Sequence, residues 1–135
     1  MSGGAFFDTN LLVCAALRPS PRSDKARALL AAGGAISVQA LNEFANVARR
    51  KLGKPWPEVT QALDAVRALC APPLPITLAT HEAALGMAGR LRHRFYDSLI
   101  IASALEAGCT MLHSEDLRDA QVIEGRLTIR NPFRP

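Results

Sequence analysis

Phe95-Tyr96-Asp97-Ser98-Leu99-Ile100-Ile101-Ala102-Ser103-Ala104-Leu105-Glu106-Ala107-Gly108 is the stretch on which the fold turns. Between Leu99 and Ala107 only Ser103 and Glu106 are polar. A helix that is apolar around most of its circumference has to be buried. Gly108 supplies the left-handed residue on which many helices stop. Asp97 stands at the front of the helix, among aromatics and aliphatics. A carboxylate in such surroundings needs a partner. It either caps the helix by accepting backbone N–H bonds or ligates a metal, and the stretch alone leaves both open.

Outward from that helix, short apolar runs alternate with helical patterns. Gly4 to Phe7 is expected as a buried strand ending at Asp8, followed by a helix over Asn10 to Leu17 that Pro19 and Pro21 break. A second helix covers Asp24 to Ala32 and stops at Gly33-Gly34. A possible short strand over Ala35 to Ser37 precedes a helix from Val38 to Leu52. There Leu41, Phe44, Ala45, Ala48 and Leu52 keep a helical period and Gly53 is the stop. Pro55 and Pro57 bracket Trp56 ahead of a helix over Glu58 to Leu69. Pro72, Pro73 and Pro75 then make a stiff linker into a strand at Ile76 to Leu78. Thr80 is the expected N-cap of a helix reaching Arg92. After the buried helix come a strand at Thr110 to His113, a turn at Ser114-Glu115-Asp116, and a last edge strand at Leu127 to Arg130.

Strands alternating with helices imply an α/β fold, a parallel sheet covered on both faces. In such sheets sites gather beyond the carboxyl ends of the strands. Asp8 and Asp116 should therefore share one rim.

The totals are consistent with one soluble domain spanning residues 1–135. Hydrophobic residues make up 49% and charged residues 21%, which excludes a disordered chain. Sixteen Lys and Arg against twelve Asp and Glu leave a net charge of +4, a mild excess that suits a polyanionic partner such as nucleic acid. Cys14, Cys70 and Cys109 are odd in number and widely spaced, so neither a disulfide framework nor a zinc site is indicated. His81, His93 and His113 show no metal-ligand spacing. The amino terminus lacks the charged region of a signal peptide, and no apolar run is long enough to span a bilayer. A reduced, cytoplasmic setting is expected, with no membrane partner.

Three of the twelve acids are embedded in apolar segments: Asp8 in Phe6-Phe7-Asp8-Thr9-Asn10-Leu11, Glu43 in Ala40-Leu41-Asn42-Glu43-Phe44-Ala45, and Asp97. Each has an ordinary explanation. Asp8 suits an Asx turn or a cap, and Glu43 a pair with Arg50 or Lys51. Asp116, at a strand end, suits a solvated turn. Were all four to converge, they would repel: two carboxylates ~4 Å apart cost about 4 kcal/mol at an effective dielectric of 20. Hard divalent cations, Mg²⁺ or Mn²⁺, suit an all-carboxylate set. Such ions lower the pKa of a bound water and neutralise a phosphodiester.

Phe7-Asp8-Thr9-Asn10-Leu11, Leu41-Asn42-Glu43-Phe44, Tyr96-Asp97-Ser98-Leu99-Ile100 and Leu112-His113-Ser114-Glu115-Asp116-Leu117 resemble, in order and spacing, the motifs of the PIN domain. The likeness is greatest to the VapC-like ribonuclease toxins of bacterial toxin–antitoxin pairs, and it covers almost the whole chain. It implies a three-layer α/β/α fold with a central, mostly parallel sheet of about five strands. Asp8, Glu43, Asp97 and Asp116 map onto the acidic quartet that is both catalytic and metal-binding in the family, with Mg²⁺ or Mn²⁺ as cofactor. Thr9 and Ser114 map onto supporting hydroxyls, and Glu115 could share or replace the role of Asp116. The implied activity is metal-dependent endonucleolytic cleavage of RNA by an activated water. The implied partners are an RNA substrate, a cognate antitoxin protein and a second copy of the chain.

Arg90, Arg92, His93 and Arg94 precede Asp97. They suit phosphate contacts or equally a solvated helix end. Arg49, Arg50 and Lys51 fit a helix end better, and Trp56 fits packing or a dimer or antitoxin surface. Two rival functions stay open: a nuclease of similar site in RNA maturation or on structured DNA, without an antitoxin, and a non-catalytic nucleic-acid-binding domain. A phosphatase with Asp8 as nucleophile would want an acid two residues on, where Asn10 stands.

Overall fold

The computed structural model describes residues 4–134. The extreme amino terminus, Met1 to Gly3, on which the expectation about a signal peptide bears, lies outside the described residues. The elements are β1 (Ala5–Phe7), α1 (Thr9–Ala16), α2 (Pro21–Ala31), α3 (Val38–Arg50), α4 (Trp56–Leu69), α5 (Leu78–Leu91), α6 (Phe95–Glu106), β2 (Met111–His113), β3 (Val122–Ile123) and β4 (Leu127–Arg130).

The α6 helix is the buried helix the apolar stretch requires: every residue from Ser98 to Leu105 is buried, and α5 packs along it. Gly108 follows its carboxyl end at φ 72°, as expected of a left-handed stop. At the front the residue in the N-cap position is Arg94, in extended conformation, and Asp97 lies inside the first turn. The cap reading of Asp97 is thus not adopted, and its carboxylate is left for another partner.

The sheet has the order β1-β2-β4-β3, with β1, β2 and β4 parallel and β3 antiparallel at the edge. Phe7 stands opposite His113, and His113 opposite Arg130. The residues that follow therefore leave the sheet abreast at its carboxyl edge. The Asp8 N–H donates to the His113 carbonyl at 3.0 Å, and the Ser114 N–H to that of Arg130 at 2.9 Å. Phe6, Phe7, Leu112, Leu127 and Ile129 are fully buried, as befits strands covered on both faces.

Several expectations need correction. Among the described residues the sheet has four strands rather than about five. The segment at Ala35 to Ser37 contributes only isolated parallel bridges, Phe6 with Ala35 and Ser37 with Leu74. The strand expected at Ile76 to Leu78 is absent, because Thr77 is the N-cap of α5 and accepts from the Thr80 N–H at 3.1 Å. Thr80 is the reciprocal member of that capping box, not the cap itself. The β4 strand is interior rather than an edge, since the sequence after Asp119 doubles back as β3. Trp56 opens α4 at 58% exposure, with Arg49 over its ring, so it is not a core residue.

The double glycine divides its labour. Gly33, at φ 96°, ends α2. A Cβ on Gly34 would lie 2.6 Å from the Phe7 ring and 2.9 Å from the Ala5 carbonyl, so only glycine lets this segment pass against β1.

Candidate functional site

Asp8 closes β1 and begins α1, and it is 5% exposed. One carboxylate oxygen accepts from the Thr9 N–H and the other from the Ser114 hydroxyl, each at 2.7 Å. The Asx reading and the site reading of Asp8 thus hold together: the same side chain caps α1 and faces the rim. Burial is the main cause that lifts the Asp8 carboxyl from 3.8 to about 6. The two hydrogen bonds oppose that rise, and the charges of Asp97 and Asp116 add to it.

Glu43 reaches the same place from the second turn of α3. Ser37 caps that helix, and Ala40, Phe44 and Ala48 anchor its buried face. Glu43 stands at the boundary of that face, half-buried. Its carboxylate accepts from the Thr9 hydroxyl at 3.2 Å, whereas an ion pair with Arg50 or Lys51 is not formed among the described residues. Burial first, then repulsion from Asp8 and Asp97, push Glu43 from 4.5 to about 7. The Thr9 hydrogen bond and Arg94 pull the other way.

Asp97, in the first turn of α6, accepts from Arg94 Nε at 3.0 Å. Asp116 lies beyond β2 and accepts from the Asn10 side-chain amide. Burial raises the Asp116 carboxyl, as do Glu115 and Asp97, while Arg94 and Lys51 lower it. Glu115 turns the other way, into a 2.6 Å ion pair with Arg22, whose guanidinium also covers the Phe133 ring. Of the two neighbouring acids, Asp116 is the one coupled to the others.

Four carboxylates from four separate elements therefore share one electrostatic neighbourhood at the carboxyl edge of the sheet. Among the described residues, however, no three acidic, His or Cys side chains are drawn close enough to enclose an ion as they stand. The acids repel one another, and each is held by a neighbour: Asp8 by Ser114, Glu43 by Thr9, Asp97 by Arg94, Asp116 by Asn10. The donor set is oxygen only, as a hard divalent cation requires. Burial first, and neighbouring carboxylates second, raise Asp8, Glu43 and Asp116, and a cation would offset that negative charge.

The Arg cluster ahead of Asp97 separates in space. Arg94 faces the acids. Arg90 pairs with Glu124 at 3.6 Å, and Arg92, exposed at φ 58°, forms the carboxyl cap of α5. The sequence reading missed Asn10 and Arg22 as residues that orient Asp116 and Glu115. Only Asn10 carried a signal, in the five-residue motif around Asp8.

The chain is similar in structure to Mycobacterium tuberculosis VapC20, a sarcin-ricin loop cleaving toxin. The match has a TM-score of 0.70 at 20% identity and covers 90% of this chain and 98% of that one. It is likewise similar to a chain of a toxin–antitoxin complex from Klebsiella pneumoniae, at TM-score 0.70 and 19% identity, over 97% and 99% of the two chains. No curated protein matches it by sequence. The sequence model of the PIN domain matches residues 5–123, a span that contains β1, the helices and all four acids. That span is well over half of the chain, and the chain belongs to the PIN domain family.

Proposed function

We propose that this protein is a divalent-cation-dependent endoribonuclease and the toxin of a toxin–antitoxin pair. The observation that carries the reading is the linked set of carboxylates at the sheet edge: Asp8 and Glu43 joined through Thr9, with Asp97 and Asp116 close enough to act on Asp8. These four would hold Mg²⁺ or Mn²⁺. When bound, such an ion lowers the pKa of a water and offsets charge on a phosphodiester.

The chain's own residues divide the remaining work. Ser114 and the Thr9 amide fix both oxygens of Asp8, so its orientation is set before any ligand arrives. Thr9 steers Glu43 toward Asp8, and Asn10 steers Asp116. Arg22 holds Glu115 aside. Arg94, at the mouth of the cluster, is the cation best placed to meet a phosphate. The antitoxin and a second copy of the chain are the expected protein partners, in keeping with the Klebsiella pneumoniae complex that the fold resembles. Exposed Trp56 and Leu78 are candidate contact residues.

The test is cleavage of total RNA and of duplex DNA by the purified protein. RNA is cut with Mg²⁺ or Mn²⁺, EDTA stops the reaction, and Asp8→Asn and Asp97→Asn each lower the rate at least about a hundredfold, the order expected when a catalytic electrostatic group is removed. Cleavage that persists in EDTA, or in both variants, overturns the mechanism. Preference for duplex DNA would favour the DNA-directed reading instead.

A further inference from the structure

Arg94 sits against the cluster in an unusual way. Its Nε donates to Asp97 at 3.0 Å, yet its side chain is 77% exposed while that of Asp97 is 15% exposed. The guanidinium thus lies on the solvent side of an inner carboxylate. Its charge is felt beyond Asp97: it lowers both Glu43 and Asp116, and the charges of Asp97, Asp116 and Glu43 act on it in return. Arg90 is turned to Glu124 and Arg22 to Glu115, and Lys51 acts on Asp116 alone among the shifted acids.

From this geometry we infer that Arg94 is a built-in counter-ion that competes with a divalent cation for Asp97 and so sets the affinity of the site. The inference rests on the metal-binding reading given above. Two charges of one sign cannot share Asp97 without cost, and a dication entering the cluster meets the guanidinium at close range. Displacing Arg94 is easy, because an exposed pair contributes little and the freed side chain returns to water. The exchange is therefore graded. Arg94 keeps Asp97 oriented and neutralised until the cation concentration is high enough to displace it. Toward the cation Arg94 is a positioning residue, acting through Asp97.

The experiment is direct titration of Mn²⁺ into the intact protein, followed calorimetrically and by the electron paramagnetic resonance of free Mn²⁺, for wild type, Arg94→Gln, Arg94→Lys and Asp8→Asn. Arg94→Gln is expected to bind Mn²⁺ about three- to tenfold more tightly, the size set by removing one unit charge beside a dication in a water-exposed setting. Arg94→Lys, which keeps the charge, should stay within about twofold of wild type. The gap between wild type and Arg94→Gln should narrow in ~0.5 M salt as screening grows. Equal or weaker binding by Arg94→Gln, or a Lys form as tight as the Gln form, overturns the competition. Wild type that binds no Mn²⁺, or binds it no better than Asp8→Asn, overturns the metal-site reading and this inference with it.

Discussion

Asp8 shows how one side chain can serve the fold and the site together. It caps α1 through the Thr9 amide and meets Ser114 across the sheet edge, so its burial is offset by hydrogen bonds without removing its charge. Asparagine is an equally good cap. Asp8→Asn should therefore fold normally and, by removing a carboxylate that Glu43, Asp97 and Asp116 repel, melt higher than wild type at pH 8 in EDTA, while losing cleavage. Differential scanning fluorimetry beside a cleavage assay checks both halves, and a lower melting point would refute the repulsion argument. Ser114 is the second residue whose role is separable. Its hydroxyl lowers the Asp8 carboxyl, so Ser114→Ala should move the acid limb of the pH–rate profile to higher pH. An unshifted limb would show that the hydroxyl does not tune Asp8.

At the scale of elements, α6 and the β1 edge place the acids. The α6 helix is buried along Ser98 to Leu105, and this locks the turn that carries Asp97. Ile101→Ala should cost about 2–5 kcal/mol, the range for truncating a buried aliphatic side chain, and should reduce cleavage only as far as it reduces the folded fraction. Urea denaturation gives the first figure, and activity per folded molecule the second. Gly34 is the corresponding point on the other side of β1. Because a methyl there would strike the Phe7 ring and the Ala5 carbonyl, Gly34→Ala should destabilise by about 1–3 kcal/mol, as overpacking does. Gly33→Ala acts instead through its left-handed backbone. Equal stability of Gly34→Ala and wild type would mean that β1 can shift, and the site with it.

For the whole molecule, the acid cluster ties stability to pH and to cations. In the folded protein Asp8 and Glu43 release their protons near about 6 and 7, above their ordinary 3.8 and 4.5. Between these limits the unfolded chain is already ionised while the folded one still holds protons, so the folded state loses ground as pH rises. The contribution is fully present below pH ~4 and is gone once pH has passed through about 7. In EDTA the melting temperature should accordingly fall between pH 5 and pH 8. Mn²⁺ should raise it at pH 8 by mass action on the native state and change it little at pH 5, where protons occupy the acids. A cation effect equal at both pH values would place binding elsewhere.

How much of this was legible in the chain depends on the range of the interaction concerned. Local patterning was enough for the buried character of α6, its stop at Gly108, the helical period of α3 and the parallel α/β class, because burial, glycine stereochemistry and side-chain periodicity act within a few residues. Three acids in apolar settings, and a fourth at a strand end, were visible for the same reason. Helix starts were less legible: Thr77 outcompeted Thr80, and Arg94 rather than Asp97 took the cap position, since several nearby residues can begin a helix and packing selects among them. The edge strand β3, two residues long, carries no pattern of its own and exists only because β4 is there to pair with it.

Sequence by itself pointed to the class of the fold and the family and offered the candidate acids, for these follow from residue type and order along the chain. Tertiary structure alone decided that Asp116 rather than Glu115 faces the others, that Thr9 and not Lys51 meets Glu43, and that Arg94 covers Asp97. Each of these joins groups on different elements, or chooses between adjacent side chains, and so depends on how strands and helices are brought together in space, a contest of charge and burial that no local pattern encodes.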